Sequence, residues 1–172
     1  MAEYNDIYDV DRKLTGRTHR RGSPWHKGEY GLVVCVWVYD GKGKVLLTRR
    51  APEKTAAGTW ENSGGAAKAG ENSLTAIVRE LYEETGIQAA PEEFELLDAC
   101  TDRSTHYDHY CLHRDSSKVK VVLQPGETDG AQWATFEQVH EMIRTKQICK
   151  VIGKQFLRHE PLLLARQTVQ EE

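Results

Sequence analysis

The sequence predicts a mixed α/β fold of the α+β kind, in which helices cover a β-sheet. Strand-like runs rich in valine and aromatic residues dominate the first half of the chain, whereas apolar residues recur at helical spacing in 73–86 and from 136 onward. The chain has 172 residues, of which 39% are hydrophobic, and this length supports one domain with its own core better than two. We therefore expect a single domain over residues 1–172.

Charge and hydropathy exclude several classes of protein. The net charge of −3 gives no global sign of a nucleic acid polymer or an anionic membrane as partner. No apolar run approaches the roughly 18 residues of a membrane span, and the N-terminal "MAEYNDIYDVDRK" is too polar and acidic for a signal peptide. The four cysteines form no CxxC pair, which favours reduced thiols over a disulfide framework. We expect a cytoplasmic protein, and interpret the basic stretch "RKLTGRTHRRG" as a solvated hairpin.

The strand-like segments follow one another from the N-terminus. A hairpin is predicted at about residues 5–21, around the polar turn in "DRKLTG". The buried strand "LVVCVWVYD" and its partner "KVLLTRR" come next, joined by the turn "DGKG". "TWENSG" is predicted as a short strand or extended segment, and "EFELLDACT", "HYDHYCLHR" and "KVKVVLQ" as three further strands.

Three segments are predicted to be helical. In the first, "SLTAIVRELYEETG", four apolar residues at helical spacing form one stripe that can pack on the sheet: Leu74, Ile77, Val78 and Leu81. The second, residues 136–145, is amphipathic. The third, "GKQFLRHEPLLLARQ", is predicted to be helical with a break near Pro161.

The first helix also gathers acidic side chains at the margin of its apolar stripe. Glu80, Glu83 and Glu84 have the i, i+3, i+4 relation, so their carboxylates lie close together. Each like-charged pair costs about 0.2–0.5 kcal/mol even on an exposed helix. A divalent cation would cancel this repulsion, because carboxylates are the hard oxygen ligands that Mg²⁺ and Mn²⁺ prefer. A solvated acidic helix face is the alternative interpretation.

The segments around the glutamates fit a ligand site. Arg79 lies four residues before Glu83 and can pair with it, which would fix its rotamer. Asn72 or Ser73 can cap the start of the helix, and Gly86 can end it in the left-handed conformation. The preceding loop "NSGGAAKAG" has almost no bulky side chains, so its backbone can approach a ligand and its carbonyl groups can join a coordination sphere.

Together these residues resemble the Nudix box, G-x5-E-x7-R-E-U-x-E-E-x-G-U, in which U is a bulky aliphatic residue. The pattern is complete over residues 65–87, where its positions are filled by Gly65, Glu71, Arg79, Glu80, Leu81, Glu83, Glu84, Gly86 and Ile87. A chance match in a chain of this length is on the order of one in ten million. The resemblance implies a Nudix-type α/β/α sandwich, with a mixed β-sheet between helices, and hydrolysis of a nucleoside diphosphate linked to another group.

The resemblance also implies roles for individual residues. The ligands of Mg²⁺ or Mn²⁺ would be the carboxylates of Glu80, Glu83 and Glu84 and the carbonyl oxygen of Gly64. Arg79 would brace a glutamate of the box. The residues that support the loop and helix would be Gly65, Glu71 and Gly86.

Many members of the family use a further carboxylate from a loop outside the box. In "QPGETDGAQWAT" the best candidate is Glu127 and the second choice is Asp129, while a polar loop carboxylate without a catalytic role is the alternative. The base that takes a proton from the attacking water could be Glu83, Glu84 or Glu127, and spacing does not decide among them.

Basic residues just before the box suit a diphosphate. Arg49 and Arg50 point to opposite faces of a strand, so only one of them can face the substrate. We favour Arg50, together with Lys54, as contacts of the diphosphate. Solvated charges at a strand end are the alternative.

Aromatic residues and histidines are less informative. Trp25, Trp37 and Trp60 could stack on a base or an isoprenoid, although buried core positions fit this composition better. The histidines between His106 and His113 share a strand with a cysteine, but no familiar zinc spacing is present.

Two other functions are consistent with the fold that the resemblance implies. "YDVDRKLTGRTHRR" and "LLTRRAPEKTAAGTW" are similar to the isopentenyl-diphosphate isomerase branch, but these isomerases use a cysteine and histidines next to the box, and "NSGGAAKAGE" has neither. A ligand-sensing module without catalysis would not need an intact set of metal-ligand glutamates. Substrate identity and the number of metal ions stay open, as does oligomeric state, with a homodimer as one alternative.

Overall fold

The structure, a computed structural model, describes residues 2–168 of the chain. Within this range the strands are β1 (Tyr4–Tyr8), β2 (Leu14–Arg20), β3 (Gly31–Tyr39), β4 (Lys44–Arg50), β5 (Trp60–Glu61), β6 (Ser63–Ala66), β7 (Glu95–Asp102), β8 (Thr105–His113) and β9 (Thr128–Thr135). The helices are α1 (Ser73–Thr85), α2 (Phe136–Arg144) and α3 (Lys150–Thr168), with a short 3-10 helix at Pro91–Glu93. None of the helices in this range combines the length and apolar character needed to cross a bilayer.

A mixed sheet forms the centre of the molecule. Its main order is β5-β4-β3-β8-β7, in which β3 and β8 run parallel and the other neighbours run antiparallel. β3 and β4 are paired only at Tyr39 and Val45 and then diverge, so that β6 pairs with β3 and β9 pairs with β4. The N-terminal strands β1 and β2 form a separate antiparallel pair. The predicted mixed α/β fold with helices and a mixed sheet is confirmed.

Alternation along β3 builds a core on each side of the sheet. Leu32, Val34 and Val36 point to one side, where they pack with Ile77 and Leu81 of α1. On the other side Trp37 and Tyr39 belong to a second apolar cluster, which includes residues of α2 and α3. The ring of Phe156 in α3 meets Trp37 edge to face at 5.5 Å. Helices therefore cover both faces of the sheet.

The predicted strand "KVKVVLQ" is wrong, because residues 118–124 have no regular secondary structure. Their alternation of lysine and valine does correspond to burial, since Val119 and Val121 pack against the core beside α1. The backbone of this segment is hydrogen-bonded to the end of α1 and not to a strand. The Val122 N–H donates to the Thr85 carbonyl oxygen at 2.8 Å. Packing against a helix has thus produced a pattern that is typical of a strand.

The predicted break at Pro161 is also wrong, since α3 continues through it. Proline removes the hydrogen bond to the carbonyl of Leu157, four residues earlier. Both residues are on the exposed side of α3, where water can satisfy that carbonyl.

The buried arc of α1 is wider than the predicted stripe. Leu74 is 37% exposed, whereas Ala76 is fully buried together with Ile77 and Leu81. Because consecutive residues are about 100° apart, inclusion of Ala76 extends the buried arc past Glu80 and Glu84. The acidic side chains therefore begin closer to the core than the sequence suggested.

Truncation of Ile77 tests how much α1 depends on this packing. Ile77→Ala should lower the free energy of unfolding by about 2–5 kcal/mol, because the side chain is fully buried between α1 and the sheet. Leu74→Ala, on the same helix but partly exposed, should lower it by less than about 1.5 kcal/mol. Urea denaturation followed by circular dichroism measures both, and equal losses would contradict this packing.

Candidate active site

A cleft of about 430 Å³ opens beside α1 and the loop that precedes it. Its acidic side chains are Glu3, Glu61, Glu80, Glu83, Glu84 and Glu127. Its basic side chains are Arg21, Arg50, Lys54, Lys68 and Arg79. Residues from β1–β2, from β4–β5 and from the box thus converge on one highly charged cavity.

Local capping fixes the helix that carries the glutamates. Asn72, one of the two predicted capping residues, accepts a hydrogen bond from the Thr75 N–H at 2.8 Å. At the other end Gly86 has φ 71° and donates its N–H to the Tyr82 carbonyl. This left-handed conformation is the reason that glycine is favoured there.

Arg79 is the hub of the carboxylate cluster. Its guanidinium binds both oxygens of Glu71, with Nε at 2.6 Å and Nη2 at 2.8 Å. The same guanidinium donates from Nη1 to Glu80 at 2.8 Å and to Glu83 at 3.1 Å. Helical spacing alone predicts only the Glu83 contact. Arg79 lowers the pKa of Glu71, whose carboxylate in turn raises the pKa of Arg79.

The loop before α1 lies too close to its neighbours for side chains at Gly64 and Gly65. A Cβ at Gly65 would lie 2.4 Å from the Glu80 Oε1, and one at Gly64 would lie 2.3 Å from the Val34 carbonyl oxygen. Gly64 therefore requires glycine because a side chain would collide with the β3 backbone, whereas a side chain at Gly65 would displace the Glu80 carboxylate. The loop backbone reaches the carboxylates directly, and the Gly64 N–H donates to Glu84 at 3.3 Å.

Glu84 is a buried carboxyl group without a cationic partner among the described residues. Its hydrogen bonds come from the Gly64 N–H and the Ser63 side chain. Burial, followed by the charges of Glu80 and Glu61, raises the pKa of Glu84 to about 8. Burial also raises the pKa of Glu80 and of Glu61. Ionisation of Glu84 would therefore give this corner of the cleft more negative charge than the neighbouring cations offset.

The donor set fits a divalent cation in its chemistry. The carboxylates are hard oxygen ligands, and bound positive charge would relieve the cost of ionising Glu84. Within residues 2–168, no three His, Cys, Asp or Glu side chains already have the geometry of a metal site. Glu80 and Glu83 instead contact Arg79, and these two carboxylates would have to rotate to share a cation with Glu84.

The predicted diphosphate contacts both line the cleft and are engaged by carboxylates. Arg50 donates to both oxygens of Glu61 at 3.0 and 2.9 Å. Lys54 forms an ion pair with Glu127, the predicted loop carboxylate. Glu61 was missed by the sequence analysis, because only the pairing of β4 with β5 brings it to Arg50.

Strand alternation separates the second arginine from the cleft, as predicted. Arg49 donates to Asp129 at 2.7 Å and lies over the ring of Trp60, with its guanidinium carbon 5.7 Å from the centroid. Asp129, the second choice for the loop carboxylate, is therefore engaged outside the cleft, and it is not among the residues that line it.

The histidines of β8 do not converge. His106 lies between the Thr101 hydroxyl at 2.7 Å and the Asp9 carbonyl oxygen at 2.8 Å. His109 is buried, and burial lowers its pKa to about 4, while His113 is exposed. These positions give no support to a zinc site in this part of the chain.

Comparison with known proteins decides the family. The family model described as "NUDIX domain" matches residues 29–151, which is more than half of the chain. The chain belongs to the Nudix family. Nudix hydrolases are generally metal-dependent pyrophosphatases that act on small molecules.

Individual relatives agree with this family. The chain is 30% identical over 152 residues to the "Uncharacterized Nudix hydrolase lmo0368" of Listeria monocytogenes, covering 83% of this chain and 85% of the relative. A shorter region of 64 residues is 41% identical to an isopentenyl-diphosphate Delta-isomerase of Shigella flexneri, covering 36% of this chain and 35% of the isomerase. The crystal structure of DR0079 from Deinococcus radiodurans has the same fold, with a TM-score of 0.70 at 21% identity over 86% of this chain and 92% of the other.

Replacement of the buried carboxyl tests the charge imbalance. The pKa of Glu84 is raised from about 4.5 to about 8, so ionised Glu84 destabilises the fold increasingly as the pH rises through that interval. In EDTA at pH 8, Glu84→Gln should therefore raise the free energy of unfolding by about 1–4 kcal/mol, and near pH 4.5 it should change little.

A control variant and a titration with Mg²⁺ complete the test of this prediction. Glu137→Gln removes an exposed glutamate from α2 and should show no such dependence on pH in the same urea titrations. Added Mg²⁺ should stabilise the wild type more than Glu84→Gln. A Glu84→Gln protein that is less stable than the wild type at pH 8 in EDTA would contradict the proposed imbalance.

Proposed function

We propose that this Nudix protein is a Mg²⁺- or Mn²⁺-dependent hydrolase that cleaves the diphosphate linkage of a nucleoside diphosphate joined to another group, or of a related organic diphosphate. The observation that carries the proposal is the buried carboxyl of Glu84, which has no cationic partner among the described residues. Two basic residues, Arg50 and Lys54, line the same cleft. A site with excess anionic ligands on one side and cations on the other suits a metal-bound diphosphate.

In this proposal Glu80, Glu83, Glu84 and the Gly64 carbonyl hold the metal, which when bound neutralises phosphate charge and acidifies a water molecule. Arg79 positions Glu80 and Glu83 through its Nη1, and Glu71 in turn fixes the guanidinium. The glycines that allow the close approach of loop and helix are Gly64, Gly65 and Gly86.

Arg50 and Lys54 would bind phosphate oxygens after exchanging their present carboxylate partners for the substrate. Both ion pairs are partly exposed, with side-chain exposures of 23% for Arg50 and 27% for Lys54. Partly exposed ion pairs contribute little stability, so a dianionic substrate can displace Glu61 and Glu127 at modest cost. The exchange would also release Glu127 for proton transfer.

The reaction itself needs one base. The water oxygen bonds to one phosphorus atom, the bridging P–O bond on that atom breaks, and the second phosphate leaves with the bridging oxygen. A carboxylate accepts the proton from the water, and the residues in a position to do so are Glu83, Glu84 and Glu127. All three line the cleft.

We further propose that residues 1–172 act as one Nudix domain, including the hairpin at about residues 5–21. Support comes from the contacts of β1 with the loop of the box, where the Ala69 N–H donates to the Tyr4 carbonyl and Asn5 donates to the Ala67 carbonyl. A cytoplasmic location and the oligomeric state stay predictions.

An isopentenyl-diphosphate isomerase is the second candidate, favoured by the partial similarity to that enzyme. Residues 62–71 next to the box contain no cysteine or histidine. Cys35 of β3 is directly opposite Gly64 of β6, but burial raises the pKa of its thiol to about 12, which keeps it protonated and unreactive. Hydrolysis therefore remains the better interpretation.

A product assay separates the candidates. Purified protein with Mg²⁺ or Mn²⁺ is incubated with a panel of nucleoside diphosphate sugars, dinucleoside polyphosphates and isopentenyl diphosphate in ¹⁸O-labelled water. Hydrolysis predicts ¹⁸O in a released phosphate product and no reaction in EDTA. An isopentenyl diphosphate that changes only the position of its double bond would support the isomerase instead.

Glu83→Gln tests catalysis against sensing. Loss of this carboxylate should lower kcat by at least about 100-fold, because a metal ligand or base is removed. Ligand binding measured by calorimetry should stay detectable, and Glu137→Gln on the exposed face of α2 should keep full activity. Absence of turnover in the wild type on the whole panel, with ligand binding equal in both forms, would favour a sensing module.

A further inference from the structure

A second cavity of about 300 Å³ adjoins the charged cleft. The two cavities share Asn5, Arg21 and Ala66 as lining residues. A molecule that extends from the cleft past Ala66 therefore enters this second cavity directly. We refer to it as the Trp25 pocket.

The floor of the Trp25 pocket is one face of the sheet. Val33 of β3 is directly opposite Ala66 of β6, and Gly31 is directly opposite Thr105 of β8. Residues in direct register share a face, as do alternate residues along β3. The floor is therefore mostly apolar, in contrast to the charged cleft beside it.

Two stacked aromatic side chains form one wall of the Trp25 pocket. The ring of Trp25 stacks on the imidazole of His19 with a centroid distance of 3.7 Å and an interplanar angle of 7°. A Cβ at Gly31 would lie 2.8 Å from Cζ2 of Trp25, so the absence of a side chain at Gly31 makes room for the indole. Trp25 remains half-buried and lines the cavity.

His19 supports the Trp25 ring by stacking against it. It is only 7% exposed, and its Nε2 donates to the Ser23 carbonyl at 3.0 Å. Its Nδ1 is buried without a hydrogen-bond partner. A nitrogen of a buried imidazole that makes no hydrogen bond lowers the stability of the fold. None of the contacts described for the charged cleft involves His19, so they do not explain this arrangement.

We propose that the Trp25 pocket binds the nucleobase of the substrate, with Trp25 as the residue that selects a planar aromatic ring. This inference rests on the proposed function, because the diphosphate attached to the base would occupy the charged cleft. The stacked wall and apolar floor match the faces of a base. Ser23 and Thr105 are among the residues that line the pocket, and a lining with polar residues suits the polar edge of a base better than an alkyl chain.

Arg21 lies at the junction of the two cavities. Its side chain is 63% exposed, and its ion pair with Glu3 is at the surface. Such a guanidinium can turn to a phosphate oxygen at little cost. The order of chemistry along the continuous cavity is thus aromatic ring, cation and carboxylate cluster, which is the order of a base, its phosphates and the metal.

Binding of mononucleotides tests the pocket without catalysis, since they contain no anhydride. Calorimetry in Mg²⁺ compares AMP, GMP, CMP and UMP with ribose 5-phosphate, which lacks the base. The tightest mononucleotide should bind about 5- to 150-fold more tightly than ribose 5-phosphate, which is the range expected for one stacked base.

Trp25→Leu should remove most of this preference and leave the affinity for ribose 5-phosphate unchanged. Gly31→Ala displaces the indole while retaining it, and should weaken mononucleotide binding in the same direction. Trp133→Leu is the matched control, because Trp133 lines neither cavity and its loss should not change the preference.

Three outcomes would overturn the inference. The first is a wild type that binds no mononucleotide more tightly than ribose 5-phosphate, a comparison that needs no variant. The second is a Trp25→Leu protein that loses affinity for both ligands equally. The third is tighter binding of isopentenyl monophosphate than of every mononucleotide, which would assign the pocket to an alkyl group.

The results that would contradict the proposed function differ from those that would contradict the role of the Trp25 pocket. A protein that binds mononucleotides through Trp25 but cleaves no diphosphate in Mg²⁺ or Mn²⁺ overturns the hydrolase assignment alone. A protein that cleaves diphosphates without preference for a base overturns only the role of the Trp25 pocket.

Discussion

The structure depends on how negative charge is held at one end of α1. Arg79 contacts three carboxylates through one guanidinium, with Glu71 in a bidentate contact and Glu80 and Glu83 on Nη1, so its single positive charge offsets only part of their negative charge. Glu84 lies beyond its reach, buried against the loop at Gly64. Because a buried carboxylate is costly unless a cation accompanies it, a bound cation would lower the cost of ionising Glu84, as the proposed function requires.

The surrounding fold serves this constraint. Gly64 lies where a side chain would collide with the β3 backbone, and Gly65 lets the backbone approach the Glu80 carboxylate. The buried arc of α1 extends to the side that carries the glutamates, so the same helix buries Ile77 against the sheet and brings Glu84 into the cleft. The hairpin β1–β2 closes the other side through its contacts with the loop of the box. The contacts that hold α1, the loop of the box and the hairpin together are therefore the same contacts that position the carboxylates of the candidate site.

The local part of the site was predictable from the sequence, and the long-range part was not. The relation of Glu80, Glu83 and Arg79 follows from helix geometry over a few residues. The place of Glu61 beside Arg50 depends on strand pairing, and that of Arg21 depends on the docking of a hairpin more than 40 residues away. Local patterns also misled where tertiary packing imitated them, as in the alternating valines of residues 118–124, which pack against the core beside α1 without forming a strand.

A crystal structure of the protein grown with Mn²⁺ tests the central claim most directly, through the anomalous scattering of the metal. The account predicts an anomalous peak within about 2.5 Å of carboxylate oxygens of Glu84 and of at least one of Glu80 and Glu83. It also predicts that the carboxylates that bind the ion have turned away from Arg79. A map without a peak at saturating Mn²⁺, in which Glu80 and Glu83 still contact Arg79, would contradict it.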